Sequence, residues 1–177
     1  MATGTLLTID DFERLPAEMA ENHELVDGEL VEVSGNTPRN NNLRDYLVIL
    51  LRPLVRKDGL GDVIAEQEYD FLGNAHGPDV TFFGVAKLPL LDRNKRVQRF
   101  VPDLAIEIVS DSETQISLFK KKERYLKAGT QEVWLIFPET REVLLYPANR
   151  ILRGSDRLST NLIPGFSITV DELLDAD

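Results

Sequence analysis

Hydrophobic positions along this chain follow two different periods, and the switches between them mark out its elements. In Asp103-Leu-Ala-Ile-Glu-Ile-Val109, Leu104, Ile106 and Ile108 fall on one face. Asp103, Ala105, Glu107 and Val109 fall on the other, the period-two pattern of a strand. The same reasoning predicts strands over 62–72, 78–84, 142–146 and near 149–153. Val133-Trp-Leu-Ile-Phe137 is apolar without interruption, as expected of a central strand covered on both faces, with Trp134 in the core. A helical period runs from about Leu43 to Lys57, through Leu43, Leu47, Leu50, Leu51 and Leu54. Pro53 is placed to bend that helix, and Gly59 or Gly61 to end it. A second, basic helix is predicted over 114–128, closed by Gly129.

Punctuation residues complete the outline. Thr8 and Asp11 have the spacing of a capping box and open a short helix that stops near Pro16. His23 to Val33 reads as a hairpin turning at Asp27-Gly28, a type I′ pair. The polar, basic stretch 85–99 reads as an exposed loop, and Pro164-Gly165 precedes a short terminal helix beginning near Asp171. The resulting order is a β-hairpin, then α, three β, α and further β strands. It predicts an α/β fold with a mixed sheet flanked by helices, in a single domain over 1–177.

Composition narrows the function classes. The 177 residues, 42% hydrophobic and 28% charged, suit one globular domain with a real core. The chain has no cysteine, which excludes disulfides and thiolate metal sites. Neither a membrane-length apolar run nor a signal-peptide pattern is present, so the expected setting is the cytoplasm. A net charge of -10 and a pI near 4.7 argue against non-specific coating of nucleic acid. The charge is uneven, however. Residues 87–127 hold ten basic and six acidic residues, +4, which leaves -14 for the rest. That segment reads either as solvated surface or as a phosphate-binding patch.

The candidate chemistry centres on Glu107, a carboxylate inside an otherwise apolar strand. Such a group is costly to bury unless it is paired, hydrogen-bonded or on a metal. Asp79 opens the preceding strand, and two carboxylates from neighbouring strands suit a hard cation such as Mg²⁺. That ion would polarise a phosphate and activate water, while a nearby lysine would stabilise developing charge. Spacing alone leaves open a structural pairing of Glu107 with Lys121.

The chain resembles the Uma-two family of putative restriction endonucleases, within the PD-(D/E)XK nuclease superfamily. The resemblance runs from about Thr8 to Leu174. It rests on His23-Glu-Leu-Val-Asp-Gly-Glu-Leu30, Pro78-Asp-Val80, Pro102-Asp-Leu-Ala-Ile-Glu-Ile-Val-Ser110, Lys121 with Tyr125, Ala128-Gly129, Glu132-Val-Trp-Leu135 and Leu162-Ile-Pro-Gly-Phe166. It implies a restriction-endonuclease-like fold with Asp79 and Glu107 as the metal-binding pair for Mg²⁺, or Mn²⁺ in its place. The superfamily's lysine usually stands two residues after the glutamate, where this chain has Val109. The resemblance implies that the function has moved to Lys121 on the following helix; Lys120 and Lys122 point roughly 100° away from it on the helix and read as solvated. Glu24 is the candidate for a further catalytic acid, since related nucleases draw one from their amino-terminal part. An ordinary hairpin role fits Glu24 as well, and Glu29 is a weaker candidate. His23 and His76 lack metal-ligand spacing and read as structural.

The reading that follows is a Mg²⁺-dependent DNA endonuclease, with a homodimer expected by analogy with nucleases that cut two strands. The alternative is a catalytically silent nuclease-fold module for nucleic-acid binding or assembly. An acid/base hydrolase acting on a small substrate would use the same carboxylates.

Overall fold

The computed structural model describes residues 6–33, 37–110 and 114–175. In chain order the elements begin with helices α1 (Ile9–Arg14) and α2 (Ala17–Ala20), strands β1 (His23–Val26) and β2 (Glu29–Glu32), and helix α3 (Pro38–Lys57). Strands β3 (Gly61–Ala65), β4 (Glu68–Asp70), β5 (Ala75–His76) and β6 (Val80–Gly84) follow, then a 3₁₀ helix over Val85–Leu90. After β7 (Val97–Gln98) and β8 (Leu104–Ile108), helix α4 (Gln115–Ala128) crosses to β9 (Glu132–Phe137). The chain ends with β10 (Glu142–Tyr146), β11 (Arg150–Arg153), β12 (Arg157–Ser159), β13 (Ser167–Thr169) and α5 (Val170–Leu174).

The main sheet has six strands in the order β11-β10-β9-β8-β6-β3. Its pairings are antiparallel except for β8 with β9, which are parallel. Parallel neighbours need a crossover connection, and α4 supplies it. The period-two reading of β8 holds: Leu104, Ile106 and Ile108 pack with α3, Trp134 and the carboxy-terminal elements. Ala105 faces the opposite cluster with Leu118, Tyr125, Val133 and Leu135. Leu104, Ile106 and Trp134 are fully buried, each stabilising by roughly 1.5–3 kcal/mol relative to exposure. Asp103 pins the entrance to β8. Its carboxylate accepts from Gly84 N at 2.7 Å, Lys87 Nζ at 2.7 Å and Gln131 Nε2 at 2.7 Å.

A second sheet, β2-β1-β5-β4-β7, packs its own small core of Ile9, Phe12, Leu25, Ala75 and Val97. The hairpin β1–β2 turns at Asp27 (φ 52°) and Gly28 (φ 84°), the paired positive angles of a type I′ turn. Thr8 and Asp11 do form the expected capping box. Gly129, at φ 109°, caps α4.

Several boundaries differ from the sequence reading. The single strand expected over 62–72 is two, β3 and β4, which belong to different sheets. The break falls at Glu66, whose φ of 53° no continuous strand adopts. Helix α3 starts earlier, at Pro38, because Thr37 caps Asn40 N and a proline at the first position needs no partner. Pro53 lies within α3 without ending it. The expected exposed loop 85–99 carries the 3₁₀ turn and β7, where Val97 and Gln98 are buried. Its polarity is consumed internally: the Gln98 side chain closes the loop against Asp92 and Lys95. Among the described residues, no helix is long and apolar enough to cross a membrane.

Candidate active site

Strand pairing brings the two carboxylates to one place. Strands β6 and β8 run antiparallel with Val80 opposite Ile106 and Thr81 opposite Ala105. One step further along that register, Asp79 meets Glu107. Asp79 Oδ2 accepts from Ile108 N at 2.7 Å, which ties the end of one strand to the other. Both residues line a cavity of about 600 Å³, together with Glu24, Glu66, Glu68, Arg96 and Lys121.

The α4 side chains close this site. Lys121 and Tyr125 stand four apart, hence on one face. Lys121 Nζ lies 3.7 Å from Glu107 Oε1 and 3.3 Å from Glu24 Oε1. Tyr125 donates its hydroxyl to Glu107 Oε1 at 2.6 Å. Glu24 arrives from β1. The pairing of Leu25 with Ala75 puts Glu24 beside His76 on β5, and His76 Nδ1 lies 2.9 Å from Glu24 Oε2. The backbone N–H of Gly77 donates to the other oxygen of Glu24 at 3.3 Å.

These surroundings divide the three carboxylates. Burial pushes Glu107 up to about 8; the Lys121 charge opposes this, while Asp79 and Glu24 add to it. Burial likewise raises Asp79 to about 6, against the Ile108 hydrogen bond and the Lys121 charge. Burial would also raise Glu24, but the His76 hydrogen bond and the Lys121 charge outweigh it and bring Glu24 down to about 2. Glu24 is therefore ionised at neutral pH, whereas burial resists the ionisation of Glu107.

That donor set fits a hard divalent cation. Oxygen ligands that lose their protons to a positive charge suit Mg²⁺, which holds one or two carboxylates and keeps several waters. Among the described residues, no group of three or more acidic or histidine side chains converges at ligating distance. Asp79 and Glu107 are the two cavity carboxylates that could hold such an ion.

Other expectations need correction. Lys122 is not solvated: it is 4% exposed, with its ammonium 2.7 Å from Glu123 and over the rings of Phe119 and Tyr146. Leu118, Lys122 and Tyr125 form the buried stripe of α4, so helix position overrode residue type. Lys120 is exposed. Glu29, at the hairpin turn, is also exposed and does not line the cavity. The basic stretch is not an open phosphate track. Lys87, Lys95, Arg96, Arg99 and Arg124 hold Asp103, Glu13, Glu68, Asp10 and Asp27 respectively. The sequence reading passed over His76 as structural. The only signal for its place was the β1–β5 register, which no local pattern reveals.

The model of the family described as Uma2, putative restriction endonuclease, matches residues 9–171. A crystal structure of a putative nuclease belonging to DUF820 from Anabaena variabilis superposes with a TM-score of 0.84 at 21% identity. The match covers 96% of this chain and 98% of that one, and it shows a shared, restriction-endonuclease-like fold. No curated protein matched.

Proposed function

Since the chain belongs to the Uma2 family, described as putative restriction endonucleases, we propose that it is a magnesium-dependent endonuclease that hydrolyses DNA phosphodiester bonds in the Asp79–Glu107–Lys121 cavity. The observation that carries this reading is one cavity holding two buried carboxylates with raised pKa values beside a lysine. Perturbed groups of that kind gather at functional sites. Asp79 and Glu107 would hold the ion. When bound, Mg²⁺ supplies Lewis-acid polarisation of the phosphate and a more acidic water for in-line attack.

The chain's own groups do the rest. Lys121, anchored between Glu24 and Glu107, presents positive charge where negative charge grows on the phosphate oxygens. Tyr125 holds the Glu107 carboxylate by its Oε1 at the wall of the cavity. Glu24, ionised at neutral pH, supplies the further acidic group of the site and holds the Lys121 ammonium in place. Each copy offers one such centre, so cutting both strands of a duplex calls for a homodimer. Sedimentation with and without DNA tests that part.

The deciding experiment is cleavage of plasmid and linear DNA by purified protein in Mg²⁺ or Mn²⁺, with a chelator control. Asp79→Ala and Glu107→Ala should abolish cutting. Lys121→Ala should lower kcat far more than DNA affinity, because its charge matters most in the transition state. Cutting that survives in both carboxylate variants would refute the assignment. Tight DNA binding with no cleavage in either metal would replace the enzyme by the silent binding module.

A further inference from the structure

Glu107 and Glu24, which pair with Lys121, are themselves held by ring-bearing side chains, and the two rings touch. Tyr125 holds Glu107, His76 holds Glu24, and the His76 and Tyr125 rings meet edge to face at 5.8 Å. Phe71 packs against both, at 4.1 Å from Tyr125 and 6.1 Å from His76. The Lys121 ammonium is thus positioned by two carboxylates whose orientations share one buried aromatic support.

His76 is more than a packing residue. It is 2% exposed, and its Nε2 is buried without a partner among the described residues. An orphaned buried acceptor costs about 1–3 kcal/mol, and a packing role alone gives no return for that cost, since a phenylalanine would fill the space without it. The return is on the other nitrogen. With Glu24 accepting at 2.9 Å, the neutral ring must carry its proton on Nδ1. Gly77 N, adjacent in the chain, takes the second oxygen of Glu24. The two donors fix the plane of the carboxylate, and Oε1 then faces Lys121 at 3.3 Å.

We infer that His76 is a positioning residue for the reaction: through its Nδ1–H bond it orients Glu24, and through Glu24 it sets the place of the Lys121 ammonium. This role rests on the nuclease reading above. It extends the site by a histidine on β5 that touches neither substrate nor ion and belongs to the sheet opposite α4.

The test has a kinetic and a spectroscopic arm. His76→Phe keeps a ring and removes the donor, while His76→Asn keeps an N–H at the same distance along the side chain. His76→Phe should lower kcat about 10- to 100-fold, the usual effect of losing an outer-shell partner, with little change in KM. His76→Asn should recover most of the rate and covers the case in which the phenylalanine variant folds poorly. In a Glu24→Ala background, His76→Phe should cost almost nothing further, because its effect runs through Glu24. Nitrogen NMR of histidine-labelled protein, with the His76 signal identified by its loss in His76→Asn, should show a neutral ring protonated on Nδ1. A proton on Nε2, equal losses in both Glu24 backgrounds, or an asparagine variant as slow as the phenylalanine one overturns the role and leaves the nuclease reading intact. A wild-type protein that cuts no DNA overturns the nuclease reading, while the substrate-free NMR result still decides whether His76 orients Glu24.

Discussion

Replacing Glu107 by glutamine should abolish cleavage and, in the metal-free protein, raise stability by an amount that grows with pH. Glu107 has an ordinary pKa of 4.5 when unfolded and is pushed up to about 8 when folded, with burial as the main cause. Below pH 4.5 the carboxyl is protonated in both states and contributes nothing to the pH dependence. Between 4.5 and about 8 the unfolded chain has released its proton while the folded chain keeps it. Folding then takes up a proton, and wild-type stability falls by up to about 1.4 kcal/mol per pH unit. Above that interval both states are ionised and the loss reaches its full value, on the order of 5 kcal/mol.

Glutamine is neutral throughout. It can still accept the Tyr125 hydroxyl, but it gives up the ion pair with Lys121 at 3.7 Å. Allowing for that loss and for water entering the cavity, Glu107→Gln should gain about 1–3 kcal/mol at pH 8 and almost nothing at pH 5. For a chain of this size, that is a rise in Tm of roughly 3–10 °C at the higher pH. Thermal and urea unfolding in a chelator from pH 5 to 8.5 measures it. A variant less stable than wild type at pH 8, or one whose difference from wild type is constant across the range, would refute the account of Glu107 as a carboxylate held against its ionisation.

Three further outcomes follow from the same contacts. Tyr125→Phe should cost about 1–2 kcal/mol, by removing a buried hydroxyl from a carboxylate, and should slow cleavage; unchanged unfolding and rate would mean that the bond carries no weight. Arg96→Ala should cost about 2–4 kcal/mol by denaturation, since it strands Glu68 and vacates the face of Phe12. The salt dependence of DNA binding should then hardly move, and a flattened salt slope without lost stability would return Arg96 to a phosphate-binding role. Calcium should support DNA binding without turnover, because the cavity's acidic side chains outnumber its basic ones and repel a polyanion unless a cation intervenes. Equal affinity in calcium and in chelator, read by fluorescence anisotropy, would contradict that.

Much of the frame could be read from periodicity because burial enforces it. The two faces of β8, the buried run of β9, the Thr8 capping box and the Asp27-Gly28 turn all follow from local rules, and the structure bears them out. What escaped depends on contacts between distant segments. Glu66 breaks the expected strand because β3 and β4 join different sheets. Gln98 is buried because its amide closes a loop. Lys122 is buried because two rings and a carboxylate receive its ammonium. The same division applies at the site. Asp79 and Glu107 stand out locally as carboxylates at strand positions. The His76–Glu24 contact exists only through the β1–β5 register, set by the tertiary fold.

The basic stretch shows why charge counts alone misdirect. Its surplus of +4 left a nucleic-acid surface open, yet Lys95, Arg96, Arg99 and Arg124 hold carboxylates from other parts of the chain and Lys87 holds Asp103 within the stretch. The segment is basic because the amino-terminal helix and the second sheet opposite it are acidic, and the two neutralise each other on folding. What remains is the cavity, where Arg44 holds Glu66, and Glu24, Asp79 and Glu107 gather around Lys121. Arg96 is already committed to Glu68. A local excess of negative charge, buried deeply enough to raise two pKa values, is unfavourable for folding and is retained around a lysine that two of those carboxylates hold in place. On the proposed function, this is the place where stability is given up for chemistry. A divalent cation is the simplest charge that would relieve it, and a phosphate could approach these carboxylates only in its company.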